Sequence, residues 1–599
     1  MNPTGMKISG LSLLGRRWEQ RSHAGLHHEH VARELGLSER LAPLLASRNL
    51  ETVAVTKDFL RPTLSQLADP AGIRDMERAV SRIALALRQG EPIAIFGDYD
   101  VDGATSSALL VRYFRGLGIT VRVYIPDRLE EGYGPNVPAM QRLATEGTRL
   151  IITVDCGISS FAAMDEAARL GMDVIITDHH QLVDERLPTA TAIINPNRTD
   201  DPFPHKELAG VGLAFYLAMA LNRFLRQQGW FHATRPEPDL KPLLELVAVG
   251  TVADVARLIG MNRLLVAVGL RDGRPVRNPG LQALIRQAGL GRSTEKGLSP
   301  GQIGFQLGPR INAGGRLGQG ILGSELLSSD DPSRLGEIVQ ILESANRERQ
   351  TIEQRILTEA LKMVAEQDLM NRRLGWVLAS PGWHPGVVGI VASRIAERFY
   401  RPTMVVAVDA TKGEGKGSGR SVRGVDLFAA VSAVSELLTH FGGHRAAAGL
   451  TIAADRLDLF VEAFDQAVRT QNDPGLFQPA LMFDATLHPA IVQQELVRQI
   501  QRFQPFGMGN PEPVFVLSRV RIETPSVLKE RHVKCWLSDG QGGRIEAMGF
   551  GLLPGPLGDC LLAEQAPLDV AGTVSISHYR GREQVQFLIK DARLYASNT

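Results

Sequence analysis

Cysteine is scarce: Cys156, Cys535 and Cys560 are the only three among 599 residues. Thiols so few and far apart build neither a disulfide framework nor a clustered zinc site, and they point to a reducing compartment. Charge of one sign is also lacking. Lys plus Arg number 66 and Asp plus Glu 65, for a formal net charge of +1. That excludes a globally basic nucleic-acid binder, so any strand binding must use a local groove. Long apolar runs are missing too. The best candidate, residues 243–255, is broken by Glu245 and Asp254 and falls short of the ~20 apolar residues of a membrane span. The opening Met1-Asn2-Pro3 stretch has no apolar core of the kind a secretory signal needs. Nor is the chain polar enough for disorder, with 44% hydrophobic and 22% charged residues, the profile of a soluble folded protein. At roughly 100–200 residues per domain, the length predicts about three to five domains. Arg far outnumbers Lys, which suits bidentate phosphate binding and equally follows from a GC-rich genome.

The texture changes along the chain. Residues 1–80 read as helices and loops. Apolar runs at 92–96, 121–125, 150–154 and 174–177 then alternate with helix-like segments at 104–117 and 161–170. This rhythm predicts βαβ units around a parallel sheet with buried strands. Further helices are predicted over 209–227 and 240–253. Residues 337–367 contain neither Gly nor Pro, and their apolar spacing predicts one helix of roughly 46 Å at 1.5 Å per residue. Two helices broken near Arg347 are the alternative. A second α/β block follows, with strands at 376–379 and 403–408, helices at 387–399 and 426–438, and Gly-rich loops at 413–419 and 441–449. After a linker at 472–479, short apolar runs between 514 and 589 predict a small barrel such as an OB-fold. The expected organisation is an N-terminal helical and loop region (1–80), an α/β domain (81–330), a connecting long helix (331–370), a smaller α/β domain (371–471) and a C-terminal β-barrel (480–599).

The most informative stretch is Gly97-Asp98-Tyr99-Asp100-Val101-Asp102-Gly103, three carboxylates directly after a predicted buried strand. Carboxylates this close repel one another, and a divalent cation relieves the repulsion. A solvated acidic turn is the alternative for this motif alone. Asp155 ends the apolar run 150–154, and Asp178-His179-His180 ends the run 174–177. All three groups therefore fall at carboxyl ends of predicted parallel strands, where open α/β sheets bind ligands. Asp254, at the end of a predicted helix, can reach the same place. Mostly carboxylate oxygens with one or two imidazoles suit Mn²⁺ or Mg²⁺ better than zinc or copper. There are enough ligands for two ions about 3.5–4 Å apart, an arrangement suited to in-line displacement at phosphorus. These residues thus point to hydrolysis of a phosphate ester.

These motifs, with residues 154–159 and Gly250-Thr251-Val252-Ala253-Asp254, resemble the DHH phosphoesterase superfamily. Further motifs resemble the bacterial single-strand-specific exonucleases within it. They are Gly308-Pro309-Arg310-Ile311-Asn312-Ala313-Gly314-Gly315-Arg316-Leu317, His384-Pro385-Gly386-Val387-Val388-Gly389 and Gly417-Ser418-Gly419-Arg420-Ser421. Phe441-Gly442-Gly443-His444-Arg445-Ala446-Ala447-Ala448-Gly449 and Pro505-Phe506-Gly507-Met508-Gly509-Asn510 complete the set, in the family's order. The chain departs at Arg257-Leu258, where relatives usually carry Pro-Leu, and at Gly314, where Ala is common.

The resemblance implies a parallel-sheet DHH domain and a smaller α/β DHHA1 domain joined by a long helix, plus an OB-fold. It implies Asp98, Asp100, Asp102, Asp155, His179 and Asp254 as ligands of two Mn²⁺ or Mg²⁺ ions, with Asp155 bridging. It casts Asp155, His180, Asp100 and Asp102 as the catalytic group. His180 would contact the scissile phosphate, or instead orient a metal ligand. Ser418 and Arg420 would hold a 5′-phosphate, joined by Arg128 and by Arg310 or Arg316, with Asn312 nearby in the substrate site. Taken singly, each Arg reads as a surface ion-pair member. Tyr133 would stack on a base or simply pack, and His444 would face the substrate backbone.

The implied activity is a 5′→3′ exonuclease on single-stranded DNA, releasing 5′-mononucleotides. The implied setting is the bacterial cytoplasm, at the nucleoid, in recombination and mismatch repair. The protein would act there as a monomer, without a membrane, alongside a single-strand-binding protein and a helicase. Two other readings stand beside this one. A phosphodiesterase of short oligoribonucleotides or cyclic dinucleotides would not need the C-terminal barrel. A non-catalytic scaffold at the replication fork would not need every carboxylate.

Overall fold

The computed structural model describes residues 10–127, 131–182, 185–270, 275–291, 297–316, 318–563, 567–579 and 582–595. The chain folds into two compact units. One holds residues 61–349 together with the short segment 505–511; the other holds the residues up to Leu60, residues 350–504 and those from Glu512 onward. In the latter, strand β1 (Arg17–Gln20) pairs in parallel with Ala480–Phe483, far along the chain.

The first unit is built on a five-stranded parallel sheet. Its strands are β2 (Ile93–Gly97), β3 (Arg122–Tyr124), β4 (Leu150–Val154), β5 (Asp173–Thr177) and β6 (Ala192–Ile194), in the order β3-β2-β4-β5-β6. All five residues of β2 and of β4 are buried, as a sheet covered on both faces requires. Alternate residues serve the two faces. Ile93, Ile95, Leu150, Ile152 and Ile175 pack with residues of the helices Met76–Gln89, Val101–Gly116 and Gly210–Gln227. Ala94, Phe96, Ile151, Val174 and Ile176 pack with the helices Val137–Thr145 and Phe161–Arg169.

Three expectations change here. The acidic motif is a loop only as far as Asp100, because the helix already begins at Val101. Asp100 is its N-cap, with Oδ1 accepting the Gly103 N–H at 3.0 Å. The long helix is continuous and starts earlier than expected, spanning Pro332–Glu366, with Pro at the first helical position where no N–H is needed. Its charged patch does not break it, since Arg349 donates to Asn346 Oδ1 at 3.0 Å and Glu343 takes Arg347 at 3.0 Å. The segment 426–438 is a short helix, Leu427–Ser432, followed by a 3₁₀ turn, not one helix.

The second unit carries β7 (Trp376–Pro381), β8 (Thr403–Asp409), β9 (Glu414–Arg420), β10 (His440–His444) and β11 (Ala447–Ala453), in the order β10-β11-β9-β8-β7. Both segments expected as Gly-rich loops are therefore strands. The reason is packing. A Cβ on Gly415, Gly417 or Gly419 would meet Val406, Leu450 or Met404 within 3 Å, so neighbouring side chains fill the space glycine leaves. The alternate positions Lys416, Ser418 and Arg420 lie on the other face.

After β12 (Ala480–Phe483) and β13 (Ala485–Leu487), the strands β14 (Phe515–Leu528), β15 (His532–Ser538), β16 (Arg544–Gly549), β17 (Leu568–Tyr579) and β18 (Arg582–Leu594) follow. The order β14-β15-β16-β18-β17 is closed by the β14–β17 pairing, giving the expected five-stranded barrel. Among the described residues, no helix is long and apolar enough to cross a membrane.

Candidate metal centre

The parallel strands deliver their acidic groups to one edge. Asp98 follows β2 and is buried, with Oδ1 accepting the Tyr99 N–H at 2.7 Å. Asp155 follows β4 with φ of 61°, and its N–H is donated to the Thr177 carbonyl at 2.9 Å. Asp178 follows β5. Asp102 lies in the first turn of the Val101–Gly116 helix and is fully buried. Asp254 caps the C-terminus of the helix Leu244–Ala253.

Ligand atoms of these residues fall into three groups, each with all its members within 4.8 Å of one another. Asp98, Asp100 and Asp155 form one; Asp102, His179 and Asp254 form another; Asp155, His179 and His180 form the third. Every metal ligand expected from sequence is thus brought together, and Asp155 belongs to two groups. Asp155 Oδ1 is fully shielded and makes no hydrogen bond, although His179 Nε2 lies 3.1 Å away. A buried carboxylate oxygen without a donor, among other carboxylates, is a fit for a divalent cation.

Two contacts hold this cluster in ways no motif announces. The N–H groups of Gly210 and Val211, at the start of their helix, donate to Asp102 Oδ2 and Oδ1 at 2.7 Å each. A helix N-terminus thereby steadies the most deeply buried carboxylate. Gly210 must be glycine there, because a Cβ would lie 2.8 Å from Asp155 Cβ and 3.1 Å from Asp102 Oδ2.

The electrostatics follow from burial and mutual repulsion. Burial, then the Asp100 charge, pushes the Asp102 carboxyl up to about 7. Burial, then Asp102, pushes Asp254 up to about 9. Asp155 is held well above the usual carboxylate range by burial and four neighbouring carboxylates. Burial and the adjacent His180 push His179 down to about 4, which leaves a neutral imidazole with a lone pair to offer.

His180 differs. Burial opposes its protonation, but the hydrogen bond and charge of Asp178 raise it to about 9. Asp178 Oδ1 accepts from His180 Nδ1 at 2.7 Å and from its N–H at 3.1 Å, while Oδ2 accepts the Ile158 N–H at 2.9 Å. Asp178 is therefore the orienting partner of His180, a role its place in the motif did not reveal. Asn195 and Asn197 donate to the carbonyls of His180 and His179 and fix the turn that carries them. Tyr133 stands over this corner, its hydroxyl 3.5 Å from His180 Nε2 and its ring edge-on to Tyr99 and His180. It is 55% exposed, so one side of the ring faces solvent beside the cluster.

The remaining expected substrate residues are spread over both units. In the first, Arg310 donates to Glu343 Oε2 and to the Gln306 carbonyl, both at 2.7 Å. Asn312 and Arg316 are half-buried on the same helix, Gly308–Arg316. Arg128 lies outside the described residues. In the second unit, Arg420 donates to Ser418 Oγ at 3.2 Å. A Cβ on Gly389, near the start of the helix Val388–Phe399, would lie 2.8 Å from Ser418 Oγ. A guanidinium, a hydroxyl and a helix N-terminus in one place can take a phosphate. His444 is exposed on β10.

Known proteins carry the same three blocks. Residues 92–251 match the DHH family, N-terminal domain, residues 372–470 the DHHA1 domain, and residues 483–591 the RecJ OB domain. The chain is 37% identical over 574 residues to the single-stranded-DNA-specific exonuclease RecJ of Escherichia coli (strain K12), spanning 94% of this chain and 98% of that protein. It is 36% identical over 588 residues to its counterpart in Bacillus subtilis (strain 168), spanning 96% of this chain and 70% of that protein. The crystal structure of RecJ in complex with Mn²⁺ from Thermus thermophilus matches with a TM-score of 0.78 at 30% identity, covering 97% of this chain and 80% of that one. With all three domains and this identity across nearly its whole length, the chain belongs to the RecJ family of DHH proteins.

Proposed function

We propose that the protein is a single-strand-specific exonuclease that hydrolyses DNA from a 5′ end and releases 5′-mononucleotides. The observation that carries this reading is Asp155's membership of two ligand groups, in a chain whose relative of matching length is a single-stranded-DNA-specific exonuclease. Two Mn²⁺ or Mg²⁺ ions, when bound, would acidify the attacking water and neutralise the non-bridging phosphate oxygens. Asp98, Asp100 and Asp155 would hold one and Asp102, His179 and Asp254 the other, with Asp155 also grouped with His179 and His180 between them.

His180, charged and oriented by Asp178, donates a hydrogen bond to the scissile phosphate as its charge grows. Tyr133 offers a ring to a base without regard to sequence. Ser418, Arg420 and the start of the Val388–Phe399 helix bind the 5′-phosphate, and the barrel extends the strand-binding track. In this reading the protein works as a cytoplasmic monomer in recombination and repair, where a helicase and a single-strand-binding protein expose and present the strand.

Digestion of end-labelled single strands with Mn²⁺ tests the proposal. Mononucleotides should leave from the 5′ end, with blunt duplex and dinucleotides much poorer substrates. Equal rates on duplex, or no mononucleotide product, would sink it. Arg420→Ala should cost about 10- to 100-fold in kcat/KM on 5′-phosphorylated strands, the loss of one charge-assisted hydrogen bond. It should also erase the advantage of those strands over 5′-hydroxyl ones. An unchanged preference would remove Arg420 from the pocket.

Metal binding should depend on pH in a set direction. Asp254 and His180 hold protons to about pH 9 and Asp102 to about pH 7, whereas unfolded Asp and His release theirs near 3.9 and 6.5. Between pH 7 and 8.5 the folded metal-free protein thus binds more protons than the unfolded chain, and its stability falls as pH rises. Thermal unfolding in chelator should show that fall, and saturating Mg²⁺ should raise the melting temperature more at pH 8.5 than at pH 7. The opposite ordering would contradict the assignment.

A further inference from the structure

Asp102 and Asp254 reach the metal centre from different elements, so something must set their spacing. Asp102 is held by the N–H groups of Gly210 and Val211. Asp254 is followed by Val255 at φ of 61°, a conformation that β-branched residues avoid and that neighbours must hold in place. Two contacts converge on this stretch.

The first is Asn262, fully buried on the helix Gly260–Gly269. Its amide nitrogen donates to the Arg257 carbonyl at 3.2 Å and to the Glu207 carbonyl, while Oδ1 accepts the Ala209 N–H at 3.2 Å. One side chain therefore ties the backbone three residues after Asp254 to the backbone immediately ahead of Gly210. The task needs a donor and an acceptor on a short arm, which Asn supplies.

The second is the segment 505–511, which packs with this unit although the chain on either side belongs to the other. Gly507 and Asn510 exchange backbone hydrogen bonds at 2.9 and 3.1 Å, and Asn510 Nδ2 donates to the Pro505 carbonyl at 2.8 Å, closing a tight turn. At its tip the Met508 carbonyl accepts the Leu258 N–H at 2.6 Å, while the Met508 side chain is exposed. Two glycines allow the backbone this close. A Cβ on Gly507 would lie 2.8 Å from Leu258 Cδ1, and Gly509 sits at φ of 77°.

We propose that Asn262 and the turn at 505–511 are positioning groups that together set the separation of Asp102 and Asp254, and so the protein's affinity for divalent cations. The proposal rests on the metal-centre reading above. It gives the Pro505-Phe506-Gly507-Met508-Gly509-Asn510 motif a role at the metal centre rather than on the strand.

Titration of metal-free protein with Mn²⁺, followed by electron paramagnetic resonance of the free ion, tests it. Asn262→Ala and Gly507→Val should each weaken Mn²⁺ binding by about 10- to 100-fold, the range for groups that orient metal ligands. The Mn²⁺ needed for half-maximal hydrolysis should rise in parallel, with single-strand affinity in chelator unchanged. Gly507→Val removes neither partner of the Asn262 hydrogen bonds, so it decides alone if Asn262→Ala does not fold. Folded variants with wild-type Mn²⁺ affinity would overturn the proposal, whether or not their melting temperature falls. Wild-type protein that takes up no Mn²⁺ would overturn the metal-centre reading itself.

Discussion

Asp155→Ala should abolish hydrolysis and at the same time make the metal-free protein more stable. The two effects share one cause. Asp155 is fully buried, its Oδ1 has no hydrogen bond, and four other carboxylates raise the cost of ionising it. It is a liability to the fold and, in the proposed mechanism, a ligand to the ions. Removing it takes an anchor from the group with Asp98 and Asp100 and from the group with His179 and His180, and with it, in the proposed mechanism, both the acidified water and the neutralised phosphate charge. Each is worth several kcal/mol at the transition state, so the rate should fall by at least about 10⁴-fold. Thermal unfolding in chelator should show a gain on the order of 1–3 kcal/mol, the cost of a buried unsatisfied polar group. Strand binding in chelator should persist, since Asp155 is itself a carboxylate and offers a polyanion no attraction. Activity kept within about tenfold of wild type, or a variant less stable than wild type, would contradict this account.

Asp178→Asn should lower kcat by about 10²- to 10³-fold with metal affinity preserved. Asp178 does not appear in any of the three ligand groups. Its oxygens are committed to His180 and to the Ile158 N–H. An amide there weakens the hold on the ring and removes the charge that keeps His180 protonated. His180→Ala should cost a similar factor. If the pair acts as one device, the double variant should be little worse than either single one. Losses that multiply in a double-mutant cycle would mean that Asp178 serves the fold and not His180. Weakened Mn²⁺ binding in Asp178→Asn would place it among the metal-holding groups instead.

Much of the first unit was legible in the sequence, and for a local reason. Ile93–Gly97, Leu150–Val154 and Asp173–Thr177 are short apolar runs, each with an acidic or histidine group at its carboxyl end. Burial on both faces of a parallel sheet demands such runs, and the end of a strand is next to it in sequence. The barrel was legible for a similar reason, as apolar runs separated by turns. The second unit was harder. Gly415, Gly417 and Gly419 are strand residues because Val406, Leu450 and Met404 fill the space beside them. Those partners come from other strands, so the local pattern reads only as loop.

The sequence by itself determined which groups would meet: Asp98, Asp100, Asp102, Asp155, His179 and Asp254 stand at element ends, and parallel pairing of the strands brings most of them to one edge. Tertiary structure decided how they are held. The N–H groups that grip Asp102 come from residues 108 and 109 positions away. Asn262 binds backbone on both sides of the centre, and the turn that seats Leu258 arrives from residues 505–511. Periodicity and composition report what a residue's neighbours along the chain require. A hydrogen bond from a distant backbone group leaves no such pattern, because any residue but proline carries the same N–H and carbonyl. Only the packing of the helices and turns shows which of them it uses.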